Sequence, residues 1–387
     1  MVLFVNQINT VKKNIFSIFI LMHCISFSLI SDAQKVDTTA TYSISAYVDG
    51  YYAHYTDSVG IGNFQKFPTV SPRSNSFGLN TMQFTGHYDG ERIRAITTFQ
   101  FGDIAQSAWS KTYNFIQEAH AGVRICKMLW LDAGFFRTHF GTEFLLPIEN
   151  ITSSVSIGTF YEPYYESGLR LNFDPTKQLE INLFLLNGYG IFEDNNNKKS
   201  FGAGVTYAFS NGIGIGYTNY LGDDSPPGDS LSHLRFDQNA FINYQHRKIT
   251  IQAGGDFGIQ RNSDIVIPHK TASMYSGLTT IKYQFIKWLA VYGRGEIFHD
   301  PNGFMSTIIA DQTGKLTGYK LWGVTAGIEY KPTGNSYIRL EGRRLQMDQD
   351  QNIFHYNGQD RNYRWEILFN IGLSFDLIKG TETKINS

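Results

Sequence analysis

The sequence predicts an all-β fold, a transmembrane antiparallel up-and-down β-barrel of about 16 strands, range roughly 14–18. Three observations predict it. Apolar and polar residues alternate with period two from about residue 40 to the C-terminus. Short turn signals alternate with long polar segments. Charged residues make up only 17% of the chain and aromatics 15%, yet the mean hydropathy is −0.24. A soluble protein of this size usually carries about 25% charge, and beyond the N-terminus no run approaches the ~18 apolar residues of a membrane helix. Strands with one face in lipid and one in water reconcile these facts.

The first element in order is an export signal over residues 1–33. Lys12 and Lys13 precede an apolar stretch from Ile15 to Ile30, and Ser31-Asp32-Ala33 sets small residues around a cleavage point after Ala33. The cleavage site and the Ser and His within the stretch argue against an uncleaved anchor helix. Cys24 follows Leu21-Met22-His23, without the small residue that a lipidation site places before its cysteine. Cleavage leaves Cys126 alone, which excludes an intramolecular disulfide. It also takes the formal net charge from −1 to −2 by removing Lys12, Lys13 and Asp32. Without a basic bias, nucleic acid is not an expected partner. Residues 34–41 read as a periplasmic lead-in, 42–377 as one barrel domain and 378–387 as a periplasmic tail.

The strands follow. Ile249, Ile251, Ala253, Phe257 and Ile259 share one face, against Thr250, Gln252, Asp256 and Gln260 on the other. Trp365, Ile367, Phe369, Ile371, Leu373 and Phe375 oppose Arg364, Glu366, Asn370, Ser374 and Asp376. Trp322, Val324, Ala326, Ile328 and Tyr330 oppose Thr325 and Glu329. The eight steps from Trp322 to Tyr330 span about 26 Å at ~3.3 Å per residue, which fits an apolar membrane band with aromatic ends. A soluble sandwich also alternates, but its strands are commonly ~5–6 residues long; here many run longer.

Seven turn signals are short: Asp89-Gly90, Lys127-Met128, Asp174-Pro175, Asn211-Gly212, His246-Arg247, Phe285-Ile286-Lys287 and Pro332-Thr333-Gly334. Eight long segments lie between and around them, at 56–76, 103–114, 140–163, 187–200, 222–234, 261–272, 299–319 and 345–363. Short periplasmic turns and long external loops are the asymmetry of bacterial outer-membrane barrels. The final strand resembles the assembly signal of such proteins, with Asn370, Gly372, Phe375 and Leu377 at the signal's positions. The resemblance implies the barrel-assembly machinery as a partner. Outer-membrane lipid of a Gram-negative bacterium is the expected surroundings.

Several blocks carry a wider likeness. They are Ala46-Tyr47-Val48-Asp49-Gly50-Tyr51-Tyr52, Phe77-Gly78-Leu79-Asn80, Gln117-Glu118-Ala119-His120, Gly134-Phe135-Phe136 and Phe140-Gly141-Thr142-Glu143. In these the chain resembles the putative beta-barrel porin-2 family. The resemblance implies a pore-like barrel with no defined substrate.

Charge on the lipid face costs ~2–4 kcal/mol at mid-membrane, so alternation turns charged strand residues inward. On that rule Arg92, Arg94, Glu118, His120, Arg124, Asp132, Arg170, Asp256, Arg294, Glu296, Arg339, Glu341 and Arg343 are candidate pore-lining residues. Arginine and carboxylate rows facing each other across a lumen create a transverse field for polar solutes. Pairing within the wall is the alternative for each of them. Segment 140–163 is the candidate constriction loop, with Glu143 and Glu149 among Phe140, Phe144, Leu145, Leu146 and Pro147. A loop this apolar is poorly solvated unless it folds into the barrel or is buried between subunits. It is the third external loop, the one that folds inward in general porins.

Catalytic patterns are weak. Gly228-Asp229-Ser230-Leu231 with His233 lacks the strand-to-helix setting of a positioned nucleophile. His54 with Ser58 lacks an orienting partner. Asp194-Asn195-Asn196-Asn197 and Asp223-Asp224 read as solvated acidic turns rather than calcium loops. No catalytic residue, metal or cofactor is expected. The leading expectation is a passive channel for small hydrophilic solutes, as a homotrimer or a monomer. Its rivals are a closed barrel whose loops bind a ligand and, behind that, an outer-membrane hydrolase.

Overall fold

The computed structural model describes residues 39–57 and 64–383. The export signal read at 1–33 lies outside the described residues, as does Ser58. In chain order the strands begin with β1 (Thr39–Tyr55), β2 (Ser76–Gly90), β3 (Ile93–Phe101), β4 (Ile116–Cys126) and β5 (Leu129–Arg137). Next come β6 (Tyr165–Phe173), β7 (Leu179–Leu186), β8 (Ser200–Ala208), β9 (Ile213–Asp223) and β10 (Leu234–His246). They continue with β11 (Ile249–Gln260), β12 (Ala272–Ile286), β13 (Leu289–His299), β14 (Ile309–Ala310) and β15 (Leu316–Thr317). The last are β16 (Lys320–Tyr330), β17 (Ser336–Met347), β18 (Phe354–Tyr356), β19 (Gln359–Arg361) and β20 (Tyr363–Thr383).

Sixteen of these form one closed barrel in the order β1 to β13, then β16, β17 and β20, with β20 pairing back on β1. Each barrel pair is antiparallel, so closure satisfies every ladder and leaves no open edge in lipid. The remaining four strands make two small hairpins, β14–β15 and β18–β19, inside long connections. Seven connections are short and eight are long, as the turn signals predict. No helix among the described residues is long and apolar enough to cross a membrane. The barrel crosses with strands instead.

The alternation has the physical cause expected of it. On β20, Trp365, Ile367, Phe369, Ile371, Leu373 and Phe375 are exposed, while Arg364, Glu366 and Asn370 are fully buried. On β16, Trp322, Val324, Ile328 and Tyr330 are exposed, while Thr325 and Glu329 are buried. Apolar side chains therefore face outward and polar ones inward, the reverse of a soluble core.

Two boundaries differ from the expected ones. Strand β1 begins at Thr39, inside the expected lead-in. The segment read as a tail from residue 378 continues β20 to Thr383, pairing with Thr39 to Ile44 of β1. A register shift between Ile44 and Ser45 marks where this extension leaves the regular ladder. The barrel seam is tied inside by Asp49 on β1, which accepts from Asn80 of β2 at 2.6 Å, Asn370 of β20 at 3.1 Å and the Tyr337 hydroxyl of β17. Asp49 and Asn80 both belong to the blocks that carry the family likeness. Their contact gives those blocks a structural role.

The interior is not an empty tube. Val70 of the first long connection, Ile104 and Trp109 of the second, Leu145, Leu146 and Val155 of the third and Phe192 of the fourth bury one apolar cluster with Tyr47 and Tyr337. A second cluster joins Phe67, Ile157, Tyr319 and Phe354 from four long connections to Met274, Phe298 and Leu345 of the wall. Long connections thus fold inward and pack on each other.

Candidate functional site

The third long connection, residues 138–164 between β5 and β6, lies across the interior. Its 3-10 turn Pro147–Glu149 and short helix Ile157–Tyr161 are its only regular elements. A path through a barrel leaves backbone N–H and C=O groups without ladder partners, and each must find another. Strands β13 and β17 supply most of them, and Gln252 of β11 donates to the Thr142 carbonyl at 2.8 Å.

Carboxylates take the N–H groups. Glu341 accepts from Ser153 at 2.7 Å and Ser154 at 3.1 Å, and Glu296 accepts from Ile157 at 2.8 Å. Arginines take the carbonyls. Arg339 donates to the oxygens of Pro147 at 2.7 Å, Asn150 at 2.9 Å and Thr152 at 3.1 Å. Arg294 donates to the Ser154 carbonyl at 2.7 Å and to Glu143 Oε1 at 2.9 Å. Arg343 closes the lattice on Glu296 at 2.7 Å, and Arg364 on Glu366. The side chains of Arg294, Glu143, Arg343 and Glu296 are all 2% exposed or less. Arg294, Glu296, Arg339, Glu341 and Arg343 therefore point inward as their alternation predicts, but they meet the loop and each other, not an open lumen.

The β3–β6 wall is built differently. Asp132 on β5 is fully buried and accepts from Arg94 Nε at 2.7 Å, Arg94 Nη2 at 2.6 Å and Arg170 Nε at 3.0 Å. The two arginine side chains stay 21% and 23% exposed. Glu118 accepts from Thr98 at 3.3 Å and lies 3.7 Å from His120, whose ring packs on Phe136. Arg124 rests over Trp130, and Arg92 is half-buried beside it. Asp256, on β11, accepts from Asn239 at 2.6 Å and from Ser276.

A cavity of about 680 Å³ opens at the short-turn end of this side, lined by Arg94, Arg170, Asn172, Lys177, Glu180 and Thr206. A smaller space of about 190 Å³ lies against the third connection, lined by Glu118, Arg137, Phe144, Glu162, Tyr164 and Arg170 among others. Arg170 borders both.

The loop's own acids fall into three environments. Glu143 is buried on Arg294, whereas Glu149 is exposed and forks onto Arg137 at 2.6 Å. Glu162 is buried without a cation, and its Oε1 has no partner. Burial, then the neighbouring Asp256 and Glu143, push the Glu162 carboxyl well above the ordinary range. A Cβ at position 141 would sit 2.0 Å from Glu162 Oε2 on a backbone with φ +112°, so Gly141 is what admits this carboxyl. At the loop's start, burial opposes the charged form of His139. The Glu166 carboxylate at 2.9 Å outweighs it and raises the His139 pKa.

Sequence reasoning left Glu162, Asp49 and the Arg364–Glu366 pair out of the site. Asp49 lay within a quoted block and Arg364 and Glu366 on a named inward face, so signals existed for those three; Glu162 carried none. His233 contacts Asp229 at 3.3 Å and Ser263 at 3.0 Å rather than a serine of its own block. His54 is held by Asn75 at 2.7 Å. Asp194 and Asp223 are bonded within their turns and to Lys199 and Lys198. Among the described residues no three His, Cys, Asp or Glu side chains cluster as metal ligands.

Solved outer-membrane barrels share this architecture. The anion-selective porin from Comamonas acidovorans superposes with a TM-score of 0.60 at 8% identity, over 87% of this chain and 100% of that one. The outer membrane channel DcaP of Acinetobacter baumannii gives 0.58 at 10% identity, over 87% and 97%. The trimer form of OmpT from Vibrio cholerae gives 0.53 at 9% identity, over 87% and 99%. These likenesses establish the fold alone. No curated protein matches the chain in sequence. The family model described as putative beta-barrel porin-2, OmpL-like, matches residues 41–378, nearly the whole barrel. The chain therefore belongs to the putative beta-barrel porin-2 family of outer-membrane barrels.

Proposed function

We propose that this protein is a narrow channel for passive diffusion of small hydrophilic solutes, with its path along the β3–β9 side. One observation carries the reading. Both the 680 Å³ cavity and the 190 Å³ space lie on that side, share Arg170 in their walls, and are bordered by charged side chains. The opposite wall is occupied by the inward loop. The channel class rests on the family and the fold; the solutes and the path are this proposal's own.

Planar-bilayer reconstitution is the direct test. Stepwise conductance well below that of a wide, unobstructed barrel is expected, and no steps from correctly folded protein would overturn the reading. The apolar clusters that join the long connections favour one rival, a closed scaffold whose external loops bind a partner. A silent bilayer would hand the function to that rival. The trimer form of the Vibrio cholerae barrel makes a homotrimer the assembly to test first, by mass measurement in mild detergent. Hydrolase chemistry is the weaker rival: His233 meets Ser263 at 3.0 Å and Asp229 at 3.3 Å, but the Ser263 hydroxyl donates to the Arg261 carbonyl at 2.9 Å rather than to the imidazole.

A further inference from the structure

Two adjacent rungs of the β3–β6 wall carry more positive charge than their neighbours neutralise. Arg94, Gly122, Asp132 and Arg170 form one rung across four strands, and Arg124, Trp130 and Asn172 the next toward the short turns. Asp132 is shared between Arg94 and Arg170. A Cβ at Gly122 would sit 2.0 Å from Asp132 Oδ1, so this glycine is what lets Arg94 reach across β4 to the carboxylate.

Arg124 is the group left over. Its guanidinium lies 4.6 Å from the centroid of Trp130, whose ring also carries Arg94 at 4.5 Å. Two cations against one indole repel each other unless an anion lies between or beside them. Arg94 has Asp132; Arg124 has no hydrogen-bond acceptor among the described residues, and its Nε is buried without one. Arg94 Nη1 makes no hydrogen bond either, since its two bonds to Asp132 use Nε and Nη2 and its bond to Asn172 uses Nη2. Asp174 and Glu180 line the 680 Å³ cavity that Arg94 also borders, but Lys177 lies beside them there. The surplus therefore stays on the arginine rungs.

We infer that Arg124 and the free edge of Arg94, on the Trp130 platform, bind a small oxyanion of the phosphate type at the short-turn mouth of the channel. A guanidinium presents paired N–H donors at the spacing of two oxygens on one phosphorus, so an oxyanion fits better than a halide. The site deepens the channel reading and rests on it for its role, because Arg94, one edge of the site, also borders the 680 Å³ cavity. Inorganic phosphate and the phosphate group of a larger solute present the same chemistry.

Isothermal titration of the folded protein in detergent with inorganic phosphate, in chloride buffer, tests the site without any need for conductance. Wild type is expected to bind, and Arg124→Gln to bind about tenfold more weakly or less well still. Arg124→Lys, which keeps the charge but loses the fork, is expected to fall between them. Unchanged heat-modifiable migration on gels reports that each variant is folded. A parallel titration with methyl phosphate assigns the site to the free ion if inorganic phosphate binds more tightly, and to an ester if the order reverses. No binding by wild type, or equal binding by Arg124→Gln, overturns the inference. Phosphate binding with silent bilayers would leave this site standing and remove the channel; steps without phosphate binding would do the opposite.

Discussion

The β13–β20 wall and the β3–β6 wall are made from the same residue types on the same inward face, yet they do different work. On the first, four arginines find carboxylates and loop carbonyls, and Arg294 and Arg343 are 1% exposed or less. On the second, Arg94 and Arg170 share one carboxylate and keep about a fifth of their surface open. Buried ionic groups are costly unless every donor and acceptor is matched. The first wall comes close to that matching, with Arg294 Nε left over, only because the third connection brings Glu143 and a run of backbone groups to it. On the second that loop pairs Glu149 with Arg137 and His139 with Glu166, and Arg94 and Arg170 remain partly open to water. A charged inward face is therefore a clamp where a loop docks and stays open to water where none does.

The comparison breaks most sharply at Arg294. Arg294→Ala would strand Glu143 and the Ser154 carbonyl in the interior, at about 3–5 kcal/mol for an unpaired buried charge. The expected outcome is a loosened third connection, seen as raised and noisier single-channel conductance and a lower unfolding midpoint in urea. Arg170→Ala on the other wall is expected to cost only about 1 kcal/mol, because Arg94 still holds Asp132. Its signature is a changed ion preference in reversal-potential measurements with little change in stability. If Arg170→Ala destabilises as much as Arg294→Ala, the two walls are not distinct.

A smaller effect comes from Glu162, where the loop meets β11. Its carboxyl is raised by burial and by Asp256 and Glu143. A group raised in the folded state gives stability that is fully present below its unfolded value and is lost as pH rises through the folded one. For Glu162 the loss therefore begins as pH climbs above the ordinary 4.5. Proteolysis of the loop across roughly pH 4 to 9 should show docking weakening with alkalinity. Glu162→Gln keeps a donor toward Asp256 without the charge, so its profile is expected to be flatter. Identical profiles would place the loop's hold elsewhere.

The sequence displayed the barrel because lipid enforces one rule at every strand, and a rule applied at each second residue leaves a visible period. Trp322 to Tyr330 and Trp365 to Phe375 stand out for that reason. Beyond Leu377 the strand runs past the apolar band, so pairing with Thr39 to Ile44 continues without the pattern that betrays it. The burial of Arg294, Glu296, Arg339, Glu341 and Arg343 follows the same alternation, but what each of them meets does not. Arg294 bonds Glu143 across 151 positions, and no local period encodes such a contact. Segment 140–163 announced burial through Phe140, Leu145 and Leu146, whereas Glu162 gave no sign of its role. Its setting depends on Gly141, on Asp256 across the barrel and on the helix turn before it.

The smallest expected effect lies at the pair that sequence grouped with the constriction. Glu149 and Arg137 form a bidentate fork, but each side chain is 29% exposed. Two charges in partial contact with water gain little from each other, about 0–1 kcal/mol, and salt screens the remainder. Glu149→Gln is therefore expected to leave the unfolding midpoint within error and to reduce, not abolish, the interaction with Arg137. Arg137 also borders the 190 Å³ space, so freeing it adds positive charge beside the proposed path. Bilayer measurements at low salt should then show a modest gain in anion preference that fades as salt is raised. A large stability loss would mean that Glu149 belongs with Glu143 in the clamp, and that the clamp reaches farther across the barrel than the β13–β20 wall.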